Sequence, residues 1–385
     1  MFEFTEEKLH CLKAFHTVSE IANQPRLWKE AFENYKKEKE SIENFFNRIG
    51  KEGKKLRVIF TGAGSSEYVG NIALPYLLSQ ADERFSFESV ATTDLVSSPK
   101  VYLWDVPTLL VSFARSGNSP ESLQAVKLVN QICTNAYHLA ITCAQEGELA
   151  KSLKGKENAY VALMPADSND KGFAMTGSCT CMLLSTLLIF DKKHGEDKKA
   201  LIVEELISMA KEVIARENEI KSVLEADFNR IVYIGSGVFA KMSREAGLKI
   251  LELTAGRIAT CMDSSMGFRH GPKSFIDEKT IVFNFVSSDP YTRAYDVDMI
   301  NEIHGDKIVK DIVAVSGERL GGSFKEFVFD SYRQAEDAYL SLPYIVFAQI
   351  AAVLSSLKVG NAPDTPSASG TVNRVVKGVI IHELD

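Results

Sequence analysis

The sequence predicts an α/β fold in which mainly parallel sheets are flanked by helices in two domains. Short apolar runs typical of buried strands alternate with helix-like stretches, which favours parallel strands joined by helical crossovers. The alternation stops near the middle of the chain and then restarts. With 385 residues, the chain also exceeds the roughly 250 to 300 residues at which a single core stops growing. We therefore predict two domains.

The first half begins with helix and continues with strands. Apolar residues at helical spacing among mixed charges occupy residues 28–54, and they predict a helical N-terminal extension over residues 1–54. The buried-strand runs LRVIFT at 56–61 and TLLVSF at 108–113 are each followed by a turn and a helix-like stretch. We predict a first α/β domain over residues 55–196.

The second half restarts the same pattern after an amphipathic segment. Residues 197–226 carry no strand signal and predict a linker helix. The run RIVYIGSG at 230–237 then begins a second α/β domain, predicted over residues 227–360. The tail over residues 361–385 contains VVKGVII, which would expose apolar surface if it were disordered, so we expect the tail to wrap onto the protein.

Composition and charge exclude several classes of protein. The formal net charge of −7 and the lack of a basic run interleaved with aromatics disfavour nucleic acid as a partner. No apolar run approaches the roughly 20 residues that span a bilayer, and the first residues lack the features of a secretory signal. The six cysteines form no CxxC pair, so we expect no metal site. We predict a cytoplasmic protein that does not bind membranes.

Two turns that follow predicted strands carry hydroxyl side chains. GAGSS, with Ser65 and Ser66, follows the first strand run, and SGNSPE, with Ser116 and Ser119, follows the second. Each turn alone is typical of an ordinary helix cap. Because the carboxyl ends of parallel strands meet at one edge of a sheet, the two turns should converge there, beside helix N-termini that favour anions. We interpret them as a shared phosphate site.

A dinucleotide site is the rival interpretation. Residues 235–240, GSGVFA, satisfy the variant G-x-G-x-x-G/A fingerprint, and Asp263 follows at a tolerable distance. This interpretation would predict a nicotinamide-dependent oxidoreductase. It would also leave the serine-rich turns of the first half without a role, so we rank it below phosphate binding.

Candidate proton-transfer groups lie in the second half. Glu245 and Glu252 are seven residues apart in a predicted helix, two turns along one face, with Lys249 between them. The simplest interpretation is a solvated row of salt bridges. A partly desolvated carboxylate beside a substrate would instead serve as a general base. His270 lies in a glycine- and proline-rich loop, and histidine suits a proton shuttle near neutral pH.

Six segments carry a family resemblance that covers nearly the whole chain. They are GFAMTGS, SGNSPES, ELTAG, GFRHGPKSF, PYTRAYD and PDTPSASGTVNRVV. In content and order they resemble the AgaS-type family of SIS (sugar isomerase) proteins of the galactosamine pathway. The resemblance implies two SIS domains, each a flavodoxin-like three-layer α/β/α sandwich. It also implies a homodimer or tetramer with active sites between subunits, each site closed by the C-terminal tail.

A second resemblance, to the isomerase half of glucosamine-6-phosphate synthase, implies roles for individual positions. Ser66, Ser116 and Ser119 match the hydroxyls that hold the phosphate, and Arg115 lies beside them in the sequence. Ala114 stands where that enzyme has a serine, and the cation of Arg115 is our expected substitute for the missing hydroxyl.

The same resemblance implies the groups that act on the sugar. Glu252 matches the glutamate that moves a proton between C1 and C2, and Glu245 matches its neighbour on the helix face. His270 matches the ring-opening histidine, which is supplied by the adjacent subunit. Thr176 matches a loop position that contacts the sugar, and Lys377 matches a lysine that meets the open-chain substrate at C1.

The function implied is that of a galactosamine-6-phosphate deaminase/isomerase, which yields tagatose 6-phosphate and ammonia without metal or cofactor. Two alternatives stay open: an aldose-ketose isomerase of an unaminated hexose 6-phosphate, and a non-catalytic sugar-phosphate sensor. The sensor needs the serine turns but not Glu252, His270 or Lys377, so the joint presence of these residues favours an enzyme. The C4 configuration of the substrate is not identifiable from residue spacing.

Overall fold

The structure is a computed structural model that describes residues 4–50, 55–376 and 378–384. It divides into two compact units, each built from separate stretches of the chain. The first unit comprises Leu27–Asp170, Gly177–Glu196 and Gly370–Asp385, and the second comprises Met1–Arg26, Lys171–Thr176 and Asp197–Ser369. The boundaries at residues 54, 196, 226 and 360 drawn above stay a prediction.

The first unit is built on a sheet of five parallel strands in the order β2-β1-β3-β4-β5. The two central strands beside the chain reversal, β1 and β3, are buried along their whole length, as expected for a parallel sheet covered on both faces. The strands are β1 (Leu56–Thr61), β2 (Phe85–Ser89), β3 (Thr108–Ala114), β4 (Ala136–Thr142) and β5 (Ala159–Leu163).

Helices cover this sheet and form its core with aromatic side chains. Phe190 lies edge-on against Phe60 with ring centroids 5.3 Å apart, and Phe46 packs on Phe190 at 5.5 Å. The helices are α3 (Ser65–Ser79), α4 (Thr92–Ser97), α5 (Pro99–Tyr102), α6 (Pro120–Ile132), α7 (Glu148–Leu153) and α8 (Gly177–Phe190).

The second unit repeats the architecture with a parallel sheet in the order β10-β9-β8-β6-β7. Its strands are β6 (Arg230–Gly235), β7 (Ala259–Ser264), β8 (Thr280–Phe285), β9 (Asp311–Ser316) and β10 (Lys325–Val328). Its helices are α1 (Glu6–Cys11), α9 (Glu196–Ala215), α10 (Glu217–Leu224), α11 (Val238–Thr254), α12 (Pro290–Asp306) and α13 (Asp337–Lys358). The predicted α/β class with two parallel sheets is confirmed.

Strand order gives each sheet one chain reversal. Read from the second strand, both sheets follow the order 2-1-3-4-5, so the connections from the first and third strands run in opposite directions along the sheet. Ligands of such sheets bind at the carboxyl edge where this reversal occurs. The reversal lies between β1 and β3 in the first unit and between β6 and β8 in the second.

Helix α2 (Phe15–Ile49) contributes residues to both units and begins well before residue 28. It runs through Pro25. Because proline normally ends a helical pattern, the sequence does not predict that the turns before Pro25 belong to the same helix. Its N-terminus is capped by a distant residue. The Asp364 carboxylate accepts the backbone N–H groups of His16 at 3.0 Å and Thr17 at 2.8 Å.

Helix α13 is long and apolar enough to cross a membrane, so the expectation that no such run exists is wrong. Within the helix, 89% of the apolar stretch lies buried inside the protein. Its Tyr344 stacks on Phe239 at 5.0 Å and on Phe285 at 5.8 Å. Packing in the core of the second unit therefore accounts for its apolar composition.

Because His138 of β4 is buried, we predict that the protein loses stability as the pH falls. Burial lowers its pKa from 6.5 to about 4, and its Nε2 lies 2.9 Å from Oδ1 of Asn130. The unfolded chain therefore takes up this proton first as the pH falls. The free energy of unfolding should drop on the order of 1 kcal/mol per pH unit between these two values.

His138→Gln removes this titrating group. The variant should lose less stability than the wild type between about pH 7 and about pH 5, measured as the shift of the urea unfolding midpoint. An identical pH dependence in the two proteins would show that His138 does not titrate with folding.

Candidate active site

The first turn of interest joins β1 to α3 in the first unit. A Cβ on Gly62 would lie 2.4 Å from the carbonyl carbon of Ser66, so only glycine permits this close approach. Gly64 has φ of 59°, in the left-handed region that favours glycine. Helix α3 begins directly after it, with the buried Ser65 and Ser66 in its first turn, where N–H groups favour an anion. The helix-cap interpretation therefore does not describe these two serines.

The second turn joins β3 to α6. Oγ of Ser119 accepts the N–H of Ser122 at 3.3 Å and so caps α6, as the helix-cap interpretation predicted for this residue. Gly117 has φ of 65°, and Oγ of Ser116 accepts the N–H of Asn118 at 3.3 Å. The turn is therefore fixed by its own hydrogen bonds, with Ser116 and Ser119 both half-buried.

A distant segment holds this second turn in place. The N–H of Leu149, at the start of α7, donates to the carbonyl of Gly117 at 2.9 Å. A Cβ on Gly147 would lie 2.4 Å from the carbonyl oxygen of Ser116, so glycine is needed for the contact. Neither support is predictable from the sequence, because nothing in the local pattern links residues about thirty positions apart.

The two turns are neighbours because their strands are paired. Phe60 lies opposite Val111 and Thr61 lies opposite Ser112 in the parallel register of β1 and β3. The next residues of each strand enter the two turns, at the carboxyl edge where the chain reverses. The first unit thus brings hydroxyl-bearing turns and two helix N-termini to one edge of its sheet, and the buried cation Arg115 follows directly after β3. Such a set of donors suits a phosphate dianion.

The C-terminal tail is hydrogen-bonded to this region. Nη2 of Arg115 donates to the carbonyl oxygen of Arg374 at 2.7 Å. The Arg374 side chain in turn donates from Nε to the carbonyl of Asp170 at 2.8 Å and from Nη2 to Oδ1 of Asn169 at 3.0 Å. Asp170 accepts the N–H of Gly177 at 3.0 Å, at the start of α8. These bonds tie the middle of the tail, at Arg374, to the Arg115 side chain, while closure of a site by the tail stays a prediction.

The equivalent position of the second unit is occupied by carboxylates. Oδ1 of Asp296 accepts the hydroxyl of Ser236 at 2.6 Å, and its Oδ2 accepts the N–H of Ser287 at 3.0 Å. Asp337 accepts the Ser287 hydroxyl at 2.5 Å and the N–H of Ser288 at 2.7 Å. The chain's own carboxylates therefore take donors that a bound anion would need. The same charges disfavour a pyrophosphate at the GSGVFA turn and with it the dinucleotide interpretation.

Helix α11 carries the two predicted glutamates and a lysine that links them. Nζ of Lys249 lies 2.6 Å from Oε2 of Glu252 and 3.4 Å from Oε1 of Glu245. The side chains of Lys249 and Glu245 are 1% and 0% exposed, whereas that of Glu252 is 24% exposed. The interpretation as a solvated salt-bridge row is therefore wrong. A reachable carboxylate fixed by a buried ammonium has the geometry of a general base.

The predicted histidine lies on an anchored surface loop. Arg269 and Lys273 both pair with the Glu302 carboxylate of α12, at 2.6 and 2.5 Å respectively. Their hydrogen bonds, that of Lys273 more than that of Arg269, hold the pKa of Glu302 below its usual range. Phe268 is fully buried in the core of the second unit. These contacts fix the loop on both sides of His270, which is itself exposed.

Two predicted site residues remain, Thr176 and Lys377. Thr176 is buried in the second unit, at the end of the segment Lys171–Thr176. The start of that segment is held by Glu20, whose carboxylate accepts the N–H of Gly172 at 3.2 Å. Its contact with a sugar stays a prediction. Lys377 lies outside the described residues. Within the described ranges, no group of three or more His, Cys, Asp or Glu side chains is placed to hold a metal ion.

Comparison with known proteins adds whole-chain similarities. No family model matches the chain. It is 42% identical over 371 residues to the D-galactosamine-6-phosphate deaminase AgaS of Escherichia coli, a match that covers 95% of each protein. Over nearly the full length of both chains, similarity of this size reflects common ancestry and a common fold.

Two solved structures are similar over the same length. The tagatose-6-phosphate ketose/aldose isomerase of Escherichia coli has a TM-score of 0.86 and 39% identity, covering 95% of this chain and 96% of that one. A Clostridium novyi NT structure, provisionally assigned to the same enzyme class, has a TM-score of 0.92 and 42% identity, covering 99% and 98%. The two-sheet architecture is thus shared with these proteins.

Removing the Asp296 carboxylate from the turns of the second unit should cause a large loss of stability. Oδ1 of Asp296 also accepts the hydroxyl of Ser265 at 2.5 Å. Asp296→Ala would leave the hydroxyls of Ser236 and Ser265 and the N–H of Ser287 without this acceptor. Each buried donor left unsatisfied costs about 1 to 3 kcal/mol, so we expect the free energy of unfolding to fall on the order of 3 kcal/mol. Urea unfolding measures this. A variant as stable as the exposed control Asp298→Ala on the same helix would contradict it.

Proposed function

The chain belongs to the AgaS family, and from that premise we propose that it is a galactosamine-6-phosphate deaminase/isomerase that yields tagatose 6-phosphate and ammonia. The 42% identity to a D-galactosamine-6-phosphate deaminase over 95% of both proteins supports the activity. One observation carries the chemistry: the partly exposed Glu252 carboxylate is held 2.6 Å from the buried ammonium of Lys249.

Phosphate anchoring is the role proposed for the first unit. The paired turns after β1 and β3 present Ser66, Ser116 and Ser119, with Ser65 and the cation of Arg115 beside them. A phosphate ester gains hydrogen bonds from hydroxyls and helix N-terminal N–H groups, and charge compensation from the guanidinium. Binding energy at this non-reacting end of the substrate serves to position the reacting carbons.

Proton transfer is the role proposed for Glu252. In the open-chain aldehyde its carboxylate removes the proton from C2, and the electron pair of that C–H bond forms the C1=C2 double bond of a cis-enolamine. The π electron pair of the C1 carbonyl moves to its oxygen, which takes a proton from solvent and becomes a hydroxyl. The same group then returns the proton to C1, which leaves an imine at C2. Water adds to the imine and ammonia departs, so one water is consumed for each ammonia and tagatose 6-phosphate formed. General base catalysis of this type contributes roughly a hundred- to ten-thousand-fold.

Lys249 and Glu245 support this step. The ammonium donates to Glu252 and fixes the carboxylate in one orientation, and Glu245 supplies a second negative charge 3.4 Å from the same ammonium. Both partners are buried, so water competes little for these contacts. Lys249 is therefore a positioning residue, a role that the spacing of the two glutamates does not reveal.

The remaining roles rest on the family resemblance. His270 shuttles the proton that opens the pyranose and is supplied by a neighbouring subunit, which its exposed, anchored loop permits. Thr176 contacts the sugar, and Lys377 meets C1 of the open chain. The enzyme works in the cytoplasm as a homodimer or tetramer with active sites at subunit interfaces. It uses no metal or redox cofactor and binds neither nucleic acid nor membrane.

A simple aldose-ketose isomerase is the second candidate. The similarity to a tagatose-6-phosphate ketose/aldose isomerase, with 39% identity and a TM-score of 0.86, favours it specifically. The same C2-to-C1 proton transfer would occur there, but on an unaminated sugar and without ammonia. A non-catalytic sensor has less support, because it has no use for a carboxylate held by a buried ammonium.

Product analysis separates these functions. Galactosamine, glucosamine and tagatose 6-phosphates are each supplied to the purified protein, and ammonia and ketose are measured together. We expect ammonia and tagatose 6-phosphate in equal amounts from galactosamine 6-phosphate. Aldose formation from tagatose 6-phosphate without ammonia from either amino sugar would establish the isomerase instead. Turnover of none of the three would favour the sensor.

Glu252→Gln tests the proposed base. The amide keeps the size of the side chain but cannot take a proton, so kcat should fall at least about 100-fold while the substrate dissociation constant changes little. Steady-state ammonia release and calorimetric binding measure the two quantities. The exposed Glu225→Gln serves as the matched control. Turnover by Glu252→Gln close to that of the control would remove the assignment.

A further inference from the structure

A cavity lies in the first unit, away from the phosphate turns. Its volume is about 490 Å³, within the roughly 300 to 1,000 Å³ of small-molecule sites. It is lined at or near the amino ends of the strands, by Leu56 and Arg57 of β1, Val106 before β3 and Tyr137 of β4. The phosphate turns follow the carboxyl ends of the same strands. The six residues of β1, at about 3.3 Å each, separate the two places, so they form distinct sites.

Arg57 is the polar centre of this cavity. Its Nε and Nη2 each donate to the Glu88 carboxylate at 2.8 Å, and Nη2 also donates to the carbonyl of Tyr102 at 2.8 Å. The guanidinium lies 3.5 Å from the ring centroid of Trp104. Among the described residues, its buried Nη1 finds no hydrogen-bond partner. Because this atom is buried, a molecule in the cavity does not reach it, and Arg57 instead holds Glu88 and Trp104 in the cavity wall.

The remaining lining defines what kind of ligand fits. Among the described residues that line the cavity, Glu88 balances the charge of Arg57, which leaves the exposed Lys55 as the excess positive charge. Trp104 is 48% exposed and Tyr137 is half-buried, and both present aromatic surface. A flat apolar body would pack on these rings, and a single negative charge would meet Lys55. We infer that this cavity binds flat, largely apolar monoanions such as aromatic carboxylates or sulfonates.

Trp104 permits a direct test on the full chain. The chain has two tryptophans, and the other, Trp28, is fully buried and donates to Thr180 at 3.0 Å. Naphthalene-2-sulfonate should change the Trp104 emission saturably, with one site per chain. The neutral 2-naphthol, which lacks the charge, should bind about tenfold more weakly. Trp104→Phe should abolish the emission change. Absence of saturable binding of the sulfonate at millimolar concentration would overturn the inference.

Two variants locate the bound probe by calorimetry. Val106→Phe places a phenyl ring inside the cavity and should weaken binding of naphthalene-2-sulfonate. Lys55→Gln removes the excess charge and should weaken the sulfonate about tenfold while leaving 2-naphthol unchanged. The exposed Lys154→Gln is the control. Wild-type affinity in a folded Val106→Phe variant, or in Lys55→Gln, would place the probe elsewhere and refute the site. Lys55→Gln keeps the test decisive if Val106→Phe does not fold, because Lys55 is exposed.

Discussion

Strand order at the carboxyl edge of each sheet is the constraint on which the rest of the structure depends. The first strand of each unit lies between its second and third strands. The chain therefore leaves the first strand toward one edge of the sheet and the third strand toward the opposite edge. Two turns and two helix N-termini then meet beside each other, with N–H groups exposed at one edge of the sheet. This geometry arises from parallel pairing alone. It therefore occurs twice in the chain, and only the side chains decide what each copy can hold.

The side chains make the two copies chemically opposite. In the first unit the turns carry Ser66, Ser116 and the cation of Arg115, a set that favours an anion. In the second unit Asp296 and Asp337 already accept the hydroxyl and N–H donors of the turns. Burial raises the pKa of Asp296, as expected for a carboxylate inside the fold. The second unit thus uses an internal anion to stabilise its fold, and its functional carboxylate lies elsewhere, on α11.

Local pattern predicted the local features well. The run at residues 56–61 was expected as a strand from its apolar residues and forms β1 with those bounds, and both turns follow their strands as expected. Features that depend on distant partners were not predictable. The start of α2 is capped by Asp364, which lies 347 positions from Thr17. The burial of Lys249 and the filling of a turn by Asp296 likewise depend on tertiary packing, and spacing in the sequence does not encode it.

The position of a bound phosphate tests the central claim most directly. Galactitol 6-phosphate keeps the phosphate and the hydroxyls of the sugar but has no carbonyl, so it cannot react. In a crystal structure of the wild-type protein with this compound, we expect the phosphate oxygens within hydrogen-bond distance of Ser66, Ser116 and Ser119. A phosphate bound instead at the turns that hold Ser236 and Ser287, or away from both chain reversals, would contradict the assignment.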